Sequence, residues 1–222
     1  MTHRSAIAQQ AATWTPPADL AAWYYGNSVT DSKWTDRSGA GNHATLGGLA
    51  SLSASGLWLP GASTDFADVP VVLTGQSLTV SMWAWLEADT STYTVLFGAN
   101  SYNTGCMFGL QRTGAQAMQM WINSDKIVSA NNTIIATGQW QHTAMVFDDD
   151  LGQGTLYVDG ASVGSGAISS SIPTAASGRM GNSPVGFQAP AKGLLDDVFV
   201  HLATLSESDI SDIIANSPGS HA

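Results

Sequence analysis

The chain has 222 residues, of which 44% are hydrophobic and only 11% are charged, against about 25% charged residues in an average globular domain. Seven basic residues and a formal net charge of −10 exclude nucleic acid and anionic membranes as expected partners, because phosphate groups are bound mainly by Lys and Arg. Cys106 is the only cysteine, so neither an intrachain disulfide nor a cysteine-based zinc site is expected.

Residues 1–17 are polar, rich in Ala and Gln, and end in Pro16-Pro17, which is typical of an arm followed by a linker. They contain no apolar stretch with a small-residue cleavage site, so a secretion signal is not expected. No run approaches the roughly 18 apolar residues of a membrane span. We predict an arm over 1–17, with Trp14 as its anchor at an interface with a neighbouring subunit, and one domain over 18–222.

Turn signals dominate between Leu20 and Gly48, and from Leu57 onward short strand-like runs alternate with turns. The clearest run is LTVSMWAWL, residues 78–86, in which every second residue from Leu78 is apolar. Trp83 and Trp85 lie on the opposite face of this predicted strand. The pattern predicts an all-β fold, an antiparallel sandwich or barrel.

One helix is predicted near the C-terminus, over about residues 206–216. Ser206 and Asp209 form a variant of the capping box, and Ile210, Ile213 and Ile214 follow at helical spacing. We expect this short helix to pack against the sandwich.

Four aspartates lie close together in AMVFDDDLGQGTLYVDG, residues 144–160. Asp159-Gly160 separates two strand-like runs and suits a two-residue type I′ turn, in which both central residues have positive φ. Asp148-Asp149-Asp150 is predicted to form a loop between strands. A calcium loop of the EF-hand type does not fit, because its fifth and twelfth positions would be Gly152 and Asp159.

An enzymatic function is not predicted. A glycosidase generally needs two positioned carboxylates, commonly including a glutamate, and the only glutamates are Glu87, at a strand end, and Glu207, in the first turn of the predicted helix. No nucleophile elbow, zinc-protease motif or phosphate loop is present. His142 and His201 lie on predicted strands, where a hydrogen-bonded structural role is expected.

Four segments occur in the order found in one family: WTDRSGAGNHATLGG (34–48), LTVSMWAWL (78–86), GQWQHTAMVFDDDLGQGTLYVDGASVGSG (138–166) and GLLDDVFVHLATLSESDISDII (193–214). Together they resemble the laminin-G-like group of the concanavalin A-like lectin/glucanase superfamily, over about residues 20–216. The resemblance implies a two-sheet antiparallel jelly-roll sandwich. It also favours a non-catalytic member, because the glucanase branch has a Glu-x-Asp-x-Glu strand that this chain lacks.

The resemblance further implies a structural calcium ion, since members often bind one through an aspartate at the start of the closing strand. Asp196 matches that position, and Asp36 and Asn42 are its predicted companions. Calcium prefers six to eight oxygen ligands. The alternative is that Asp36 and Asn42 cap their own loop through Asx-turn hydrogen bonds.

Trp83 and Trp85 are the predicted ligand-binding residues, because flat aromatic side chains on an outer surface can stack against sugar rings. The alternative is that the N-terminal segment or a neighbouring subunit covers them. Eight tryptophans in so weakly charged a chain favour covered interfaces.

Two functions are consistent with these features. The first is a structural protein of a large assembly, a bacteriophage virion component such as a capsid decoration or tail protein, made in the host cytoplasm and bound to other virion subunits or to itself. The polar arm and the weakly charged, Ser/Thr-rich composition favour it. The alternative is a carbohydrate-binding, lectin-like module or adhesin that binds glycan through Trp83 and Trp85.

Overall fold

The computed structural model describes residues 14–73, 75–88, 92–100, 103–111, 117–129, 137–174, 177–185, 189–218 and 221. Two antiparallel β-sheets pack face to face, as the predicted jelly-roll requires. The strands are β1 (Leu20–Tyr24), β2 (Val29–Thr30), β3 (Lys33–Trp34), β4 (Thr45–Gly47), β5 (Ser51–Ser53), β6 (Gly56–Leu59), β7 (Phe66–Val69), β8 (Leu78–Leu86), β9 (Tyr93–Ala99), β10 (Cys106–Gln111), β11 (Ala117–Ile122), β12 (Asp125–Val128), β13 (Trp140–Asp148), β14 (Gln153–Val158), β15 (Ala161–Ala167), β16 (Gly178–Met180) and β17 (Gly193–His201).

The first sheet runs in the order β15-β14-β13-β8-β17-β6-β5, with β1 added on β17, and we call it the eight-stranded sheet. The seven-stranded sheet runs β12-β11-β10-β9-β16-β7-β4, and β2 and β3 form a separate hairpin. Strands β6 and β1 share β17, because β6 pairs with residues 193–195 and β1 with residues 198–201. A bulge in β17 between Asp196 and Phe199 separates the two pairings.

The core lies between the sheets and follows the alternation of the strands. In β8 every second side chain from Leu78 to Leu86 is buried in the main core, and Trp83 and Trp85 lie on the outer face as predicted. Facing residues such as Phe97 and Phe108 come from the seven-stranded sheet. Because a strand presents alternate residues to opposite faces, the remaining half must be accommodated outside the core.

The predicted helix is confirmed as α1 (Glu207–Asn216). The Ser206 hydroxyl accepts a hydrogen bond from the Asp209 backbone N–H, and the Asp209 carboxylate accepts one from the Ser206 N–H, which completes the capping box. Ile210 and Ile213 are buried against the outer face of the eight-stranded sheet, in a second cluster with Phe199. None of the described helices is long and apolar enough to cross a membrane.

Strand β1 was not recognisable from the turn-rich composition between Leu20 and Gly48. Its residues LAAWY lack a clean alternation, and their strand geometry comes from pairing with β17, as in the register Trp23 opposite Phe199. In agreement with the predicted turn-rich region, turns are present at Gly26-Asn27 and Asp31-Ser32. Most of the predicted arm lies outside the described residues, so the domain boundary at residue 18 stays a prediction.

Asp159-Gly160 forms the predicted hairpin turn between β14 and β15. Both residues have positive φ, 48° and 83°, and Val158 pairs with Ala161. The Asp159 carboxylate accepts hydrogen bonds from the His142 backbone N–H at 2.9 Å and from the Gln141 side chain at 3.0 Å. Asp159 therefore holds the turn against β13 and has a structural role.

We expect Gly160→Val to lower the free energy of unfolding by about 1–3 kcal/mol, because a β-branched residue resists positive φ. Asp159→Asn should change it by less than about 0.5 kcal/mol, since asparagine tolerates positive φ and keeps an acceptor for the His142 N–H. Urea denaturation of both variants measures the difference. Equal losses in the two variants would contradict the turn assignment.

Candidate functional site

A shallow groove crosses the outer face of the seven-stranded sheet. Directly paired residues share one face of a sheet, and Gly109 is paired with Val95 on one side and Gln119 on the other. Tyr93 lies on one side of this row and Trp121 on the other. We call this feature the aromatic groove. Its lining residues are Tyr93, Thr94, Val95, Met107, Gly109, Leu110, Gln119 and Trp121.

The floor of the aromatic groove is bare backbone at Gly109. A bulge between Phe108 and Gly109 brings the strand so close to β9 that an added Cβ would lie 2.1 Å from the Thr94 carbonyl oxygen. Only glycine fits there. A glycine within a strand often marks a place where another backbone or a ligand comes close.

Hydrogen bonds orient the polar groups of the groove. The Trp121 indole Nε1 donates to Gln119 Oε1 at 3.2 Å, and Gln119 Nε2 donates to Gln111 Oε1 at 2.6 Å. The Lys126 ammonium lies 4.9 Å from the Trp121 ring centroid, a cation–π contact. These contacts give Trp121 and the two amides defined positions in the isolated chain.

The chemistry of the groove suits binding. Half-buried Tyr93 and Trp121 present aromatic surface, and the buried Gln119 amide has both donor and acceptor groups. The described lining residues include no carboxylate, whereas a glycosidase needs two at defined separation. The described part of the groove thus offers aromatic surface and an uncharged amide.

The predicted residues Trp83 and Trp85 lie on the other sheet. Trp85 is half-buried, and β-pairing places it between Trp140 on β13 and Leu194 on β17. Trp83 is covered by the chain's own His221, whose ring is stacked at a centroid distance of 4.6 Å and an interplanar angle of 20°. The covering residue thus comes from the C-terminal segment, whereas the sequence suggested the N-terminal segment or another subunit.

Two adjacent carboxylates lie beside Trp83. Successive side chains of a regular strand point to opposite faces, but the bulge in β17, with Asp197 at φ 44°, brings both Asp196 and Asp197 next to His221. His221 Nε2 lies 2.9 Å from Asp197 Oδ2. Burial and then the negative charge of Asp197 raise the pKa of Asp196 to about 6.

His142 lies on the same face, opposite Trp83 in the register of β13 and β8. Its ring makes an edge contact with Trp83 at 5.7 Å and is completely buried. Burial, and to a lesser extent the charge of His221, lower the pKa of His142 to about 3. His142 is therefore neutral at physiological pH.

The side chains of Asp36 and Asn42, two of the predicted calcium ligands, make hydrogen bonds within the chain. The Asp36 carboxylate accepts four hydrogen bonds, from the backbone N–H groups of Trp23, Ser38 and Asn42 and from the Ser38 hydroxyl, at 2.8–3.0 Å. The Asn42 side-chain amide donates to the Ala21 carbonyl. These contacts favour the loop-capping alternative for Asp36, whereas the Asn42 side chain bonds to β1 and not to its own loop.

Asp196 accepts a hydrogen bond from the Gly26 N–H at 2.8 Å. Among the described residues, the group that could hold a metal ion is Asp196, Asp197 and His221, whose ligand atoms lie within 4.8 Å of one another, without Asp36. Calcium at Asp196 stays a prediction.

Trp14 packs within its own chain. Its ring makes edge contacts with Trp23 and Phe199, each at a centroid distance of 5.9 Å, and its Nε1 donates to Asp212 on α1 at 3.1 Å. It remains partly exposed. A role at an interface between subunits stays a prediction.

Sequence reasoning missed Tyr93, Gln119 and Trp121. In AMQMWI, residues 117–122, Met118, Met120 and Ile122 face the core, and Gln119 and Trp121 occupy the alternate positions. A tryptophan and a glutamine on the non-core face of one strand were the available signal. Their proximity to Tyr93 depends on the pairing of β9, β10 and β11, which the sequence does not state.

Comparisons with known proteins agree with this architecture. A family described as the concanavalin A-like lectin/glucanases superfamily matches residues 61–211. A search of curated proteins found no match.

Several solved structures share the fold. Domain 4 of AbnA, an extracellular arabinanase from Geobacillus stearothermophilus in complex with arabinotriose, is similar with a TM-score of 0.68 and 22% identity, over 88% of this chain and 98% of that domain. The ligand-binding domain of botulinum neurotoxin serotype D in complex with N-acetylneuraminic acid has a TM-score of 0.69 and 13% identity, over 95% of this chain. The binding domain of Paraclostridial Mosquitocidal Protein 1 has a TM-score of 0.67 and 16% identity, over 88% of this chain. This chain spans about half of each toxin domain, 52% and 51%.

Asp36→Ala should lower the free energy of unfolding by about 2–4 kcal/mol, because it leaves the buried Trp23 N–H and its neighbours without an acceptor. The loss should be the same with and without EDTA, and the exposed Asp150→Ala should be nearly neutral. Thermal melting measures both effects. A melting temperature that EDTA lowers in the wild type but not in Asp36→Ala would support the calcium ion instead.

The raised pKa of Asp196 predicts a pH-dependent stability. Between about pH 4 and pH 6 the folded chain retains a proton on Asp196 that the unfolded chain has released, so wild-type stability falls as pH rises through this window. Asp196→Asn keeps an acceptor for the Gly26 N–H but cannot ionise. We expect the difference in free energy of unfolding, Asp196→Asn minus wild type, to increase by about 1–3 kcal/mol from pH 4 to pH 7. Denaturation at both pH values tests this; a constant difference would contradict it.

Proposed function

Because the chain belongs to the concanavalin A-like lectin/glucanase superfamily, we propose that it is a non-catalytic carbohydrate-binding domain whose site is the aromatic groove. The observation that carries the proposal is the placement of Tyr93 and Trp121 on either side of a bare backbone floor at Gly109. A sugar ring is apolar on its C–H faces and polar at its hydroxyl-bearing edge. The aromatic walls suit the faces, and the amides suit the edge.

The side chains of the groove are held in position by contacts within the chain, which favours ligand binding. Trp121 is held by its hydrogen bond to Gln119 and by its contact with Lys126. A side chain held in place before binding loses less conformational entropy when the ligand arrives. The same hydrogen bonds direct the Gln119 amide, so the groove offers donors and acceptors at fixed positions to sugar hydroxyls.

The similar structures support the same class of ligand. Two of them were solved with a saccharide, arabinotriose and N-acetylneuraminic acid respectively. Sequence identities of 13–22% indicate a shared fold but do not identify the sugar that this chain would bind. No observation supports the virion component expected from the sequence, so the carbohydrate-binding alternative takes its place.

We expect Trp121→Ala and Tyr93→Ala to weaken glycan binding by more than about tenfold, because removal of a central aromatic residue typically costs about 2 kcal/mol of binding energy. A glycan array with the purified chain identifies the ligand, and calorimetric titration then measures each affinity.

Trp85→Ala is the matched control, since Trp85 is also half-buried but lies on the outer face of the other sheet. Its binding should equal that of the wild type, with folding checked by thermal melting. Loss of binding in Trp85→Ala with retention in Trp121→Ala would move the site to the eight-stranded sheet. Absence of any glycan signal would refute the proposed function.

A further inference from the structure

Buried nitrogen atoms without hydrogen-bond partners gather around Trp83. Among the described residues these are the Trp83 Nε1, both ring nitrogens of His142, and the Nδ1 of His221. His142 is 0% exposed and the side chain of His221 is 5% exposed. Because buried polar groups nearly always have a hydrogen-bond partner, four such atoms in one place point to a partner that the described part of the chain does not supply.

The His221 ring fills a recess between two tryptophans. It stacks on Trp83 at 4.6 Å and lies at 4.8 Å and an angle of 59° to Trp140. Its Nε2 lies 2.9 Å from Asp197 Oδ2, and a carboxylate oxygen of Asp196 lies within 4.8 Å. We call the space bounded by Trp83, Trp140, Asp196 and Asp197 the His221 recess. An imidazole occupies it as a flat ring that is stacked on indole and hydrogen-bonded at its edge.

We propose that the His221 recess is a second carbohydrate site, specific for a neutral sugar, and that His221 occupies it when no ligand is bound. The proposal depends on the proposed function for the class of ligand, but its site is on the opposite sheet from the aromatic groove. His221 itself belongs to no strand or helix, and α1 ends at Asn216. Its displacement therefore breaks no strand or helix.

A sugar ring could replace every contact that His221 makes. Its C–H face would stack on Trp83 where the imidazole now lies, and a hydroxyl would donate to Asp197. Hydroxyl groups both donate and accept, so others could accept from the Trp83 Nε1 and pair with His142. One imidazole has only two nitrogens, and a sugar ring can satisfy more of the unpartnered atoms.

The charge of the recess selects among sugars. Asp196 and Asp197 are 2% and 0% exposed, and electrostatic repulsion is strong where little water screens it. A sugar with its own carboxylate, such as N-acetylneuraminic acid, would bring a third acidic group to this pair. The recess should therefore bind neutral sugars and reject anionic ones.

The experiment compares neutral-glycan array binding of the wild type with His221→Ala, and with two double variants that add Trp83→Ala or Trp121→Ala. Arabinotriose and N-acetylneuraminic acid serve as probes in calorimetric titration. A ligand that needs a minor state populated at about 0.1–10% binds about 10- to 1,000-fold more weakly than it would to the open state. We therefore expect His221→Ala to gain at least about tenfold in affinity for neutral glycans.

The binding gained in His221→Ala should disappear when Trp83→Ala is added and persist when Trp121→Ala is added. Binding in the aromatic groove should persist with Trp83→Ala and disappear with Trp121→Ala. The affinity for N-acetylneuraminic acid should not increase in His221→Ala. Ser211→Ala, an exposed change on α1, is the control and should match the wild type. If His221→Ala lowers the melting temperature, His221→Gln, which keeps a donor for Asp197 but lacks the ring, provides the same test.

No gain in neutral-glycan binding by either His221 variant would overturn the second site and leave the groove untouched. A gain that survives Trp83→Ala would overturn it as well. Loss of groove binding in Trp121→Ala tests the proposed function separately, so the two proposals fail by different measurements.

Discussion

Two sheets packed face to face bury only alternate side chains of each central strand, and this constraint determines where both candidate sites can lie. The chain has few charged residues to place on the two outer faces. On the eight-stranded sheet α1 and Trp14 cover part of the outer face, and Trp83 is covered by His221. On the seven-stranded sheet Tyr93 and Trp121 remain partly exposed. Aromatic surface outside the core is therefore either covered by the chain itself or available to a ligand, and the two sites represent these two outcomes.

Strand β17 organises the eight-stranded sheet through its bulge. The bulge ends the pairing with β6, allows β1 to pair with the rest of the same edge, and turns Asp196 and Asp197 toward one place. A regular strand would have sent one of these carboxylates toward the core, where a charge is costly without a partner. A non-glycine residue at positive φ is uncommon, and here it accompanies a cluster that includes His221 and Trp83. The closing strand thus has a structural and a chemical role at the same residues.

The aromatic groove and the His221 recess differ in charge and in how their side chains are held in place. The aromatic groove is lined by aromatic rings and the Gln119 amide, and its hydrogen bonds are made within β11 and between β11 and β10. The His221 recess has two carboxylates and depends on a residue outside the sheet. A site built on strands is held by the sheet itself, whereas His221 is held in the recess by its contacts with Trp83, Trp140 and Asp197. This difference is the basis for proposing direct binding in the groove and binding in competition with His221 in the recess.

The sequence by itself determined the fold class, the strand face of Trp83 and Trp85, the Asp159-Gly160 turn and the capped helix α1, because each depends on local rules. Alternation, positive φ and capping are properties of a few consecutive residues. It could not identify β1, whose strand geometry comes from pairing with β17, far along the chain. Nor could it bring Tyr93, Gln119 and Trp121 into one groove or place His221 on Trp83. Tyr93 is tens of residues from Gln119 and Trp121, and His221 is farther still from Trp83, so these contacts are decided by the tertiary structure, which for Tyr93 means strand order and register.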